Sequence, residues 1–270
     1  MEESIQNGRN YLSKYLSFVR SKGRYTFTLD ELREQFNASG TSINQSLGRL
    51  KAKNEVAQIR KGFYVLIPPE YSSQGMLPPY LFLDDLMKSL NKHYYLALLS
   101  AAALWGAAHQ QPMEFFLLVE SPAPRSVKTK KLKLKFIGRK EWVSEGIVLH
   151  KTQSGYMSVS SPELTALDLC AYAEIFGINR VVTVLQELVQ NIKPIALEKV
   201  ARLYSNTTAI QRLGYLLDSV FSEEKLANAL WKVLSERKFY PVPLSSQKEK
   251  KGETQSRWKV IKNMEIESDL

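Results

Sequence analysis

The stretch Thr41–Lys53, TSINQSLGRLKAK, decides how the first quarter of this 270-residue chain is read. Its apolar residues Ile43, Leu47 and Leu50 recur at i, i+4 and i+7, a single narrow buried stripe on a helix. At roughly 100° per residue the opposite face presents Thr41, Gln45, Gly48 and Ala52, flanked by Ser42 and Arg49. That face is small, polar and basic, with no acidic side chain on it. A helix of this kind approaches a DNA major groove closely, offering Ser42, Gln45 and Arg49 to base edges and Thr41 and Lys53 to phosphates.

The flanking sequence supplies the rest of a recognisable module. Upstream, a helix over Ser4–Ser21 buries Ile5, Leu12, Leu16 and Val19, and Lys22-Gly23 stops it. Tyr25-Thr26-Phe27 reads as a short strand. Thr28-Leu29-Asp30-Glu31 is a capping box opening a second helix whose buried face is Leu29, Leu32 and Phe36. Asn37-Ala38-Ser39-Gly40 turns the chain into the Thr41 helix. Downstream, Val56–Ile59 and Phe63–Ile67 alternate like strands and are joined at Arg60-Lys61-Gly62. Helix, strand, helix, turn, helix and basic hairpin, in that order, make a winged helix-turn-helix. In it Arg60 and Lys61 at the hairpin tip contact phosphates, which positions the protein without reading sequence. Such modules also serve as protein-interaction domains; the charge and the polar helix face favour double-stranded DNA here.

The totals agree. Lys and Arg number 37 against 27 Asp and Glu, a formal net charge of +10. That excess favours polyanion partners through phosphate contacts and counterion release. The single cysteine, Cys170, excludes an internal disulfide framework and fits a reducing cytoplasm. It lies among Leu164, Leu167 and Ala171, the setting of a core residue rather than a nucleophile. The polar, acidic N-terminus is unlike a secretory signal, and the Ala-rich run Leu96–Ala108 is too short to span a bilayer. The expectation is a cytoplasmic protein with no membrane partner.

The expected fold class is α+β: the winged helix over residues 1–68, a Pro-rich connector over 69–79, and a larger mixed domain over 80–270. The larger domain opens with an amphipathic helix over Tyr80–Leu90 and a small-residue helix over Leu98–Ala108, where Gly106 allows close packing. Strands are expected at Met113–Val119, Lys133–Ile137, Ile147–Lys151 and Tyr156–Val159. Ser160-Ser161-Pro162-Glu163 pairs a capping box with an early proline and starts a helix-rich half running to about Lys238. A last strand is expected at Trp258–Ile261. Within Arg125–Lys140 every charged residue is basic, and Lys131, Lys133 and Lys135 alternate with Leu132, Leu134 and Phe136. With Lys128 they form either a stripe that follows phosphates or a solvated strand face protected by lysine.

Enzyme chemistry finds little support. The three histidines, His93, His109 and His150, are far apart, and no zinc spacing, phosphate loop, dinucleotide fingerprint or nucleophile elbow occurs. No cofactor, metal or catalytic residue is expected. The alternative reading is a metal-dependent nuclease built on Asp84, Asp85, Glu114, Glu120, Glu141 or Asp168, whose spacings form no pattern. Glu163 reads as a helix cap and Asp168 as a surface or helix-packing carboxylate. A pure protein adaptor is a third reading.

Three further stretches carry a family resemblance. Tyr94-Tyr95-Leu96-Ala97-Leu98-Leu99-Ser100-Ala101-Ala102-Ala103-Leu104, followed by Gly106-Ala107-Ala108-His109-Gln110-Gln111-Pro112, resembles the antitoxins of bacterial AbiE abortive-infection systems (AbiEi). Ser161–Leu169 and Trp258-Lys259-Val260-Ile261 with Glu265-Ile266-Glu267 are similar to the same family. The resemblance implies an antitoxin that neutralises a nucleotidyltransferase-like toxin without needing a stable complex, the type IV arrangement. It further implies a transcriptional repressor that binds inverted repeats in its own promoter.

Overall fold

The computed structural model describes residues 11–36, 39–107 and 114–266. The expected start of the first helix at Ser4, the turn residues Asn37 and Ala38, the stretch Ala108–Met113 and Glu267 lie outside them. The protein is an α+β chain, with three separate sheets among the described residues. It divides into two compact units. The first gathers residues up to His93 with Arg125–Leu134 and His150–Met157, and the second holds Tyr94–Pro124, Lys135–Leu149 and Ser158 onward.

The first unit begins with α1 (Tyr11–Ser21), β1 (Thr26–Thr28), α2 (Leu29–Gln35), α3 (Gly40–Ala52), β2 (Val56–Arg60) and β3 (Phe63–Leu66). Gly23, at φ 71°, ends α1, and the Arg24 amide closes back onto the Val19 carbonyl at 3.2 Å. The capping box at α2 forms as its spacing requires. The Glu31 amide donates to the Thr28 hydroxyl at 3.1 Å, and the Thr28 amide donates to the Glu31 carboxylate at 3.2 Å. Arg24 braces that carboxylate at 2.9 Å. Ser39 is the N-cap of α3, accepting from the Ser42 amide, so the helix starts one residue before Thr41. Leu12, Leu16 and Val19 of α1 share a core with Leu32 of α2 and with Ile43, Leu47 and Leu50 of α3. The antiparallel sheet β1-β3-β2 completes that core, with Phe27 stacked on Tyr64 at 5.4 Å.

The helix expected over Tyr80–Leu90 is a 3-10 turn at Pro79–Leu81 followed by α4 (Leu83–Ser89). Leu83, Leu86 and Met87 are fully buried, and Asp85 accepts a 2.6 Å bond from the Thr26 hydroxyl of β1. These contacts explain why residues 80–93 gather with the N-terminal elements.

The second unit opens with β4 (Tyr94–Leu96), α5 (Leu98–Leu104) and β5 (Phe115–Glu120). Helix α5 is shorter than expected. Gly106 sits at φ 78° and the Ala107 amide returns to the Ala102 carbonyl at 2.9 Å, which closes the helix. A Cβ at Gly106 would meet nothing within 4 Å, so this glycine serves the turn and not close packing. Next along the chain come β6 (Val127–Lys128) and the start of β7 (Lys133–Arg139), which group with the first unit, and then β8 (Ile147–Thr152) and β9 (Gly155–Ser160), whose residues His150–Met157 do the same. The mixed sheet runs β6-β7-β5-β4-β9-β8, with β4 antiparallel to β5 and parallel to β9.

Helices α6 (Pro162–Ala171), α7 (Ile178–Leu188), α8 (Pro194–Leu203), α9 (Thr207–Ser219) and α10 (Glu224–Ser235) follow. Every residue of α6 from Glu163 to Cys170 is buried, the signature of a helix enclosed on all sides. It packs against α5, α7, α8 and α9. The tail forms β10 (Val242–Pro243), β11 (Thr254–Gln255) and β12 (Val260–Ile261), with β12 central. Trp258 leaves the strand expected for it and inserts fully buried against α9. Its indole donates to Asp218 at 2.8 Å, and a Cβ at Gly214 would overlap its ring.

A candidate nucleic-acid interface and a buried ion-pair cluster

On α3, Thr41, Gln45, Gly48, Arg49 and Ala52 are exposed, Ser42 is half-buried, and Ile43, Leu47 and Leu50 face the core. Lys53, at the C-cap, is exposed. The β2–β3 hairpin turns at Lys61 and Gly62, where Gly62 takes φ 81° and the Gly62 carbonyl accepts from the Leu29 amide at 2.8 Å. Lys61 is exposed at the tip. Arg60 is half-buried, and its guanidinium donates to the Arg125 carbonyl at 3.1 Å.

The lysine stripe is broken up. Strand β7 begins only at Lys133, so Lys131 falls in the preceding turn and off the alternation. The Lys131 ammonium is directed at the Gly75 carbonyl, 3.5 Å away. Lys128 and Lys133 are cross-strand partners in β6 and β7. Lys135 is exposed, with its ammonium 5.8 Å from the centre of the Phe116 ring.

In the second unit one group of charged and phenolic side chains is turned inward. Asp168, expected at the surface or in helix packing, is fully buried in α6. Its Oδ1 accepts from Arg139 at 2.8 Å and from the Tyr204 hydroxyl at 2.7 Å, and its Oδ2 accepts from the Tyr95 hydroxyl at 2.9 Å. Arg139 also donates to the Tyr95 oxygen at 2.6 Å and to the Glu141 carbonyl at 2.9 Å. Its guanidinium stacks over the Tyr204 ring at 4.6 Å. Burial pushes both tyrosine hydroxyls well above their ordinary range, and the Asp168 charge adds to the effect. They stay protonated, as donors must. Burial also raises the Asp168 carboxyl, against the pull of Arg139 and the two hydroxyls. Three of the roughly four lone-pair sites of this carboxylate are thus taken by protein donors, the pattern of a structural ion pair.

Periodicity alone missed this cluster, because Tyr95, Arg139, Asp168 and Tyr204 come from four separated segments. The signal present was a charged residue inside an otherwise apolar helix, which a buried position must pair.

Glu163 does not close a capping box on its own helix. Ser161 is the N-cap, accepting from the Leu164 amide at 3.3 Å, so the box position is apolar. The Glu163 carboxylate instead accepts from the Lys193 amide at 3.0 Å, ahead of Pro194 at the start of α8. Cys170 is fully buried, and burial pushes its thiol up to about 12. Among the described residues no group of three or more His, Cys, Asp or Glu is placed to hold a metal, and no helix is long and apolar enough to cross a membrane. The carboxylates of the nuclease reading are spread out: Asp84 pairs with Lys88 at 2.7 Å, Asp85 binds Thr26, and Glu120 and Glu141 are exposed. Trp105, in the family-like stretch, donates its indole N–H to the Ser160 carbonyl at 2.8 Å and accepts at its own carbonyl from Asn191 at 3.0 Å.

The fold and site thus define an α+β protein that combines an exposed basic helical module with a helix-rich unit built on a buried ion pair. Residues 95–219 match the family model described as the AbiEi antitoxin C-terminal domain. The match takes in Tyr95–Leu104, Arg139, Ser161–Leu169 and Tyr204, and leaves out the N-terminal module and the Trp258 tail. The RV2827C protein from Mycobacterium tuberculosis is similar in fold, with a TM-score of 0.65 at 19% identity, over 92% of this chain and 90% of that one. An antigenic nucleotidyltransferase-like protein from Paracoccidioides brasiliensis aligns over 56% of this chain and 89% of its own, at 12% identity and a TM-score of 0.35, too low to carry an argument. No curated protein matches the chain.

Proposed function

We propose that the chain is a type IV antitoxin and transcriptional autorepressor of an abortive-infection operon, acting in the cytoplasm. The antitoxin half is carried by the match over residues 95–219. Its functional partner is a nucleotidyltransferase-like toxin, neutralised without a stable complex. The regulatory half is a winged helix-turn-helix over residues 1–68, joined by the 69–79 connector, that binds inverted repeats in double-stranded promoter DNA.

What supports the regulatory reading is the exposed, acid-free face of α3 beside an exposed basic hairpin tip. Gln45, Arg49 and Ser42 are the base-reading residues, and Thr41, Lys53, Arg60 and Lys61 the phosphate contacts. Because Arg60 also holds the Arg125 carbonyl, its phosphate contact uses the guanidinium N–H groups that remain.

The full-length chain tests both halves together. It should shift its own promoter DNA in a gel and protect cells co-expressing the toxin encoded beside it. Arg49→Ala should weaken promoter repression and keep protection. Loss of protection in that variant, with the protein still folded, would refute the division of labour. Failure of the wild-type chain to bind promoter DNA would refute the regulatory half.

A further inference from the structure

Residues Val127–Leu134 form a second, smaller basic hairpin within the first compact unit. Strand β6 pairs antiparallel with the start of β7, Val127 opposite Leu134 and Lys128 opposite Lys133. Its turn is held by one side chain. The Thr129 hydroxyl accepts from the Leu132 amide at 3.0 Å and from the Lys131 amide at 3.3 Å, while the Thr129 amide donates to the Leu132 carbonyl at 2.8 Å. Buried Val127, Leu132 and Leu134 anchor it from below. Arg125, Lys128 and Lys130 are exposed, and among the described residues none of the three is held in an ion pair.

A hydrogen bond links this hairpin to the end of the first one. The Arg60 guanidinium, at the end of β2, donates to the Arg125 carbonyl at 3.1 Å, two residues before β6 begins. A basic hairpin tip and a basic hairpin are therefore joined within one compact unit. Lysines held on a turn with its hydrogen bonds made lose less freedom on binding a phosphate than lysines on a loose loop. Charge complementarity to a polyanion follows from Arg125, Lys128, Lys130 and Lys61 together.

We propose that the Val127–Leu134 hairpin is a second wing, which places Arg125, Lys128 and Lys130 on duplex phosphates flanking the segment bound by α3 and the first hairpin. The inference rests on the DNA-binding reading of the N-terminal module and extends its footprint. It supplies affinity and length dependence, and no base readout. Lys131, turned to Gly75, takes no part.

The test compares two duplexes carrying the same operator half-site, one trimmed to it and one extended on each side by about a helical turn, roughly 10 base pairs. The full-length wild type should bind the longer duplex more tightly and with a steeper salt dependence. In Arg125→Gln/Lys128→Gln/Lys130→Gln, the slope of log K against log salt on the longer duplex should become shallower by roughly 2–3, at about 0.9 per lost contact. On the short duplex the same variant should match wild type. Lys128→Arg/Lys130→Arg should keep the wild-type slope on both. An unchanged slope for the triple Gln variant on the longer duplex, with Lys61→Gln weakening both duplexes, overturns the second wing and leaves the DNA-binding reading standing. Wild type that binds neither duplex overturns both. A triple variant that keeps its DNA slope and loses toxin neutralisation overturns the second wing in favour of a protein-binding patch.

Discussion

Arg49 and Arg139 are the same residue type put to opposite uses. Arg49 stands exposed on α3, and its guanidinium has no hydrogen bond or ion pair among the described residues, so it is free for a partner. Arg139 is almost wholly buried, and its hydrogen bonds go to Asp168, Tyr95 and a backbone carbonyl. Desolvating a charge is expensive, so a buried arginine is kept only where the fold supplies nearly all its partners. The two units therefore differ in where their polar chemistry is directed. The first leaves Arg49 and Lys61 exposed, and the second uses Arg139 and Asp168 to hold β4, β7, α6 and the end of α8 together.

The comparison can be broken at its strongest point first. Asp168→Ala leaves the Arg139 guanidinium buried without its counter-ion and should cost about 3–5 kcal/mol in urea unfolding of the full chain. A loss below about 1 kcal/mol would mean that the cluster does not hold the second unit. Arg49→Ala should behave in the opposite way. Its stability should stay within about 0.5 kcal/mol of wild type, while operator affinity falls by about 1–3 kcal/mol with relaxed specificity. Equal operator binding by the variant would remove α3 as the reading helix.

Smaller effects sharpen the contrast. Thr28→Ala removes the capping hydroxyl of α2 and should cost about 1 kcal/mol, read as a shift in the urea midpoint with no change in the slope of the transition. Lys61→Gln should weaken all DNA sequences alike and make the salt dependence shallower by about 0.9, which titrations on operator and random duplexes would check. Smallest of all, Cys170 should not react with an aromatic disulfide reagent at pH 8 in the native protein, because its thiol, pushed up to about 12, stays protonated and buried. Stoichiometric reaction before unfolding would place Cys170 outside the core.

Legibility followed the range of the interactions. The α2 capping box, the glycine stop after α1 and the buried stripe Ile43–Leu47–Leu50 depend on residues three to seven apart, and each forms as its spacing dictates. Misreadings arose where a short signal had two meanings. Gly106 promised close packing, but its positive φ ends α5. Glu163 sits where a box would place it only if Ser160 were the N-cap, and the cap is Ser161. The lysine alternation counted Lys131 as strand, whereas the Thr129 turn delays β7 to Lys133.

By itself, then, the sequence determined the basic module, its exposed helix face and the family-like stretches of the second unit, since local pattern and side-chain chemistry suffice for these. Only the tertiary structure decided that Asp168 is buried and fully paired, that Trp258 docks into the groove opened by Gly214, and that Arg60 joins two basic hairpins. These meetings couple residues far apart in the chain, from 29 positions for the Arg139–Asp168 pair to 73 for the Tyr95–Asp168 bond. No local period encodes such a meeting, because it exists only once the chain has closed around its core.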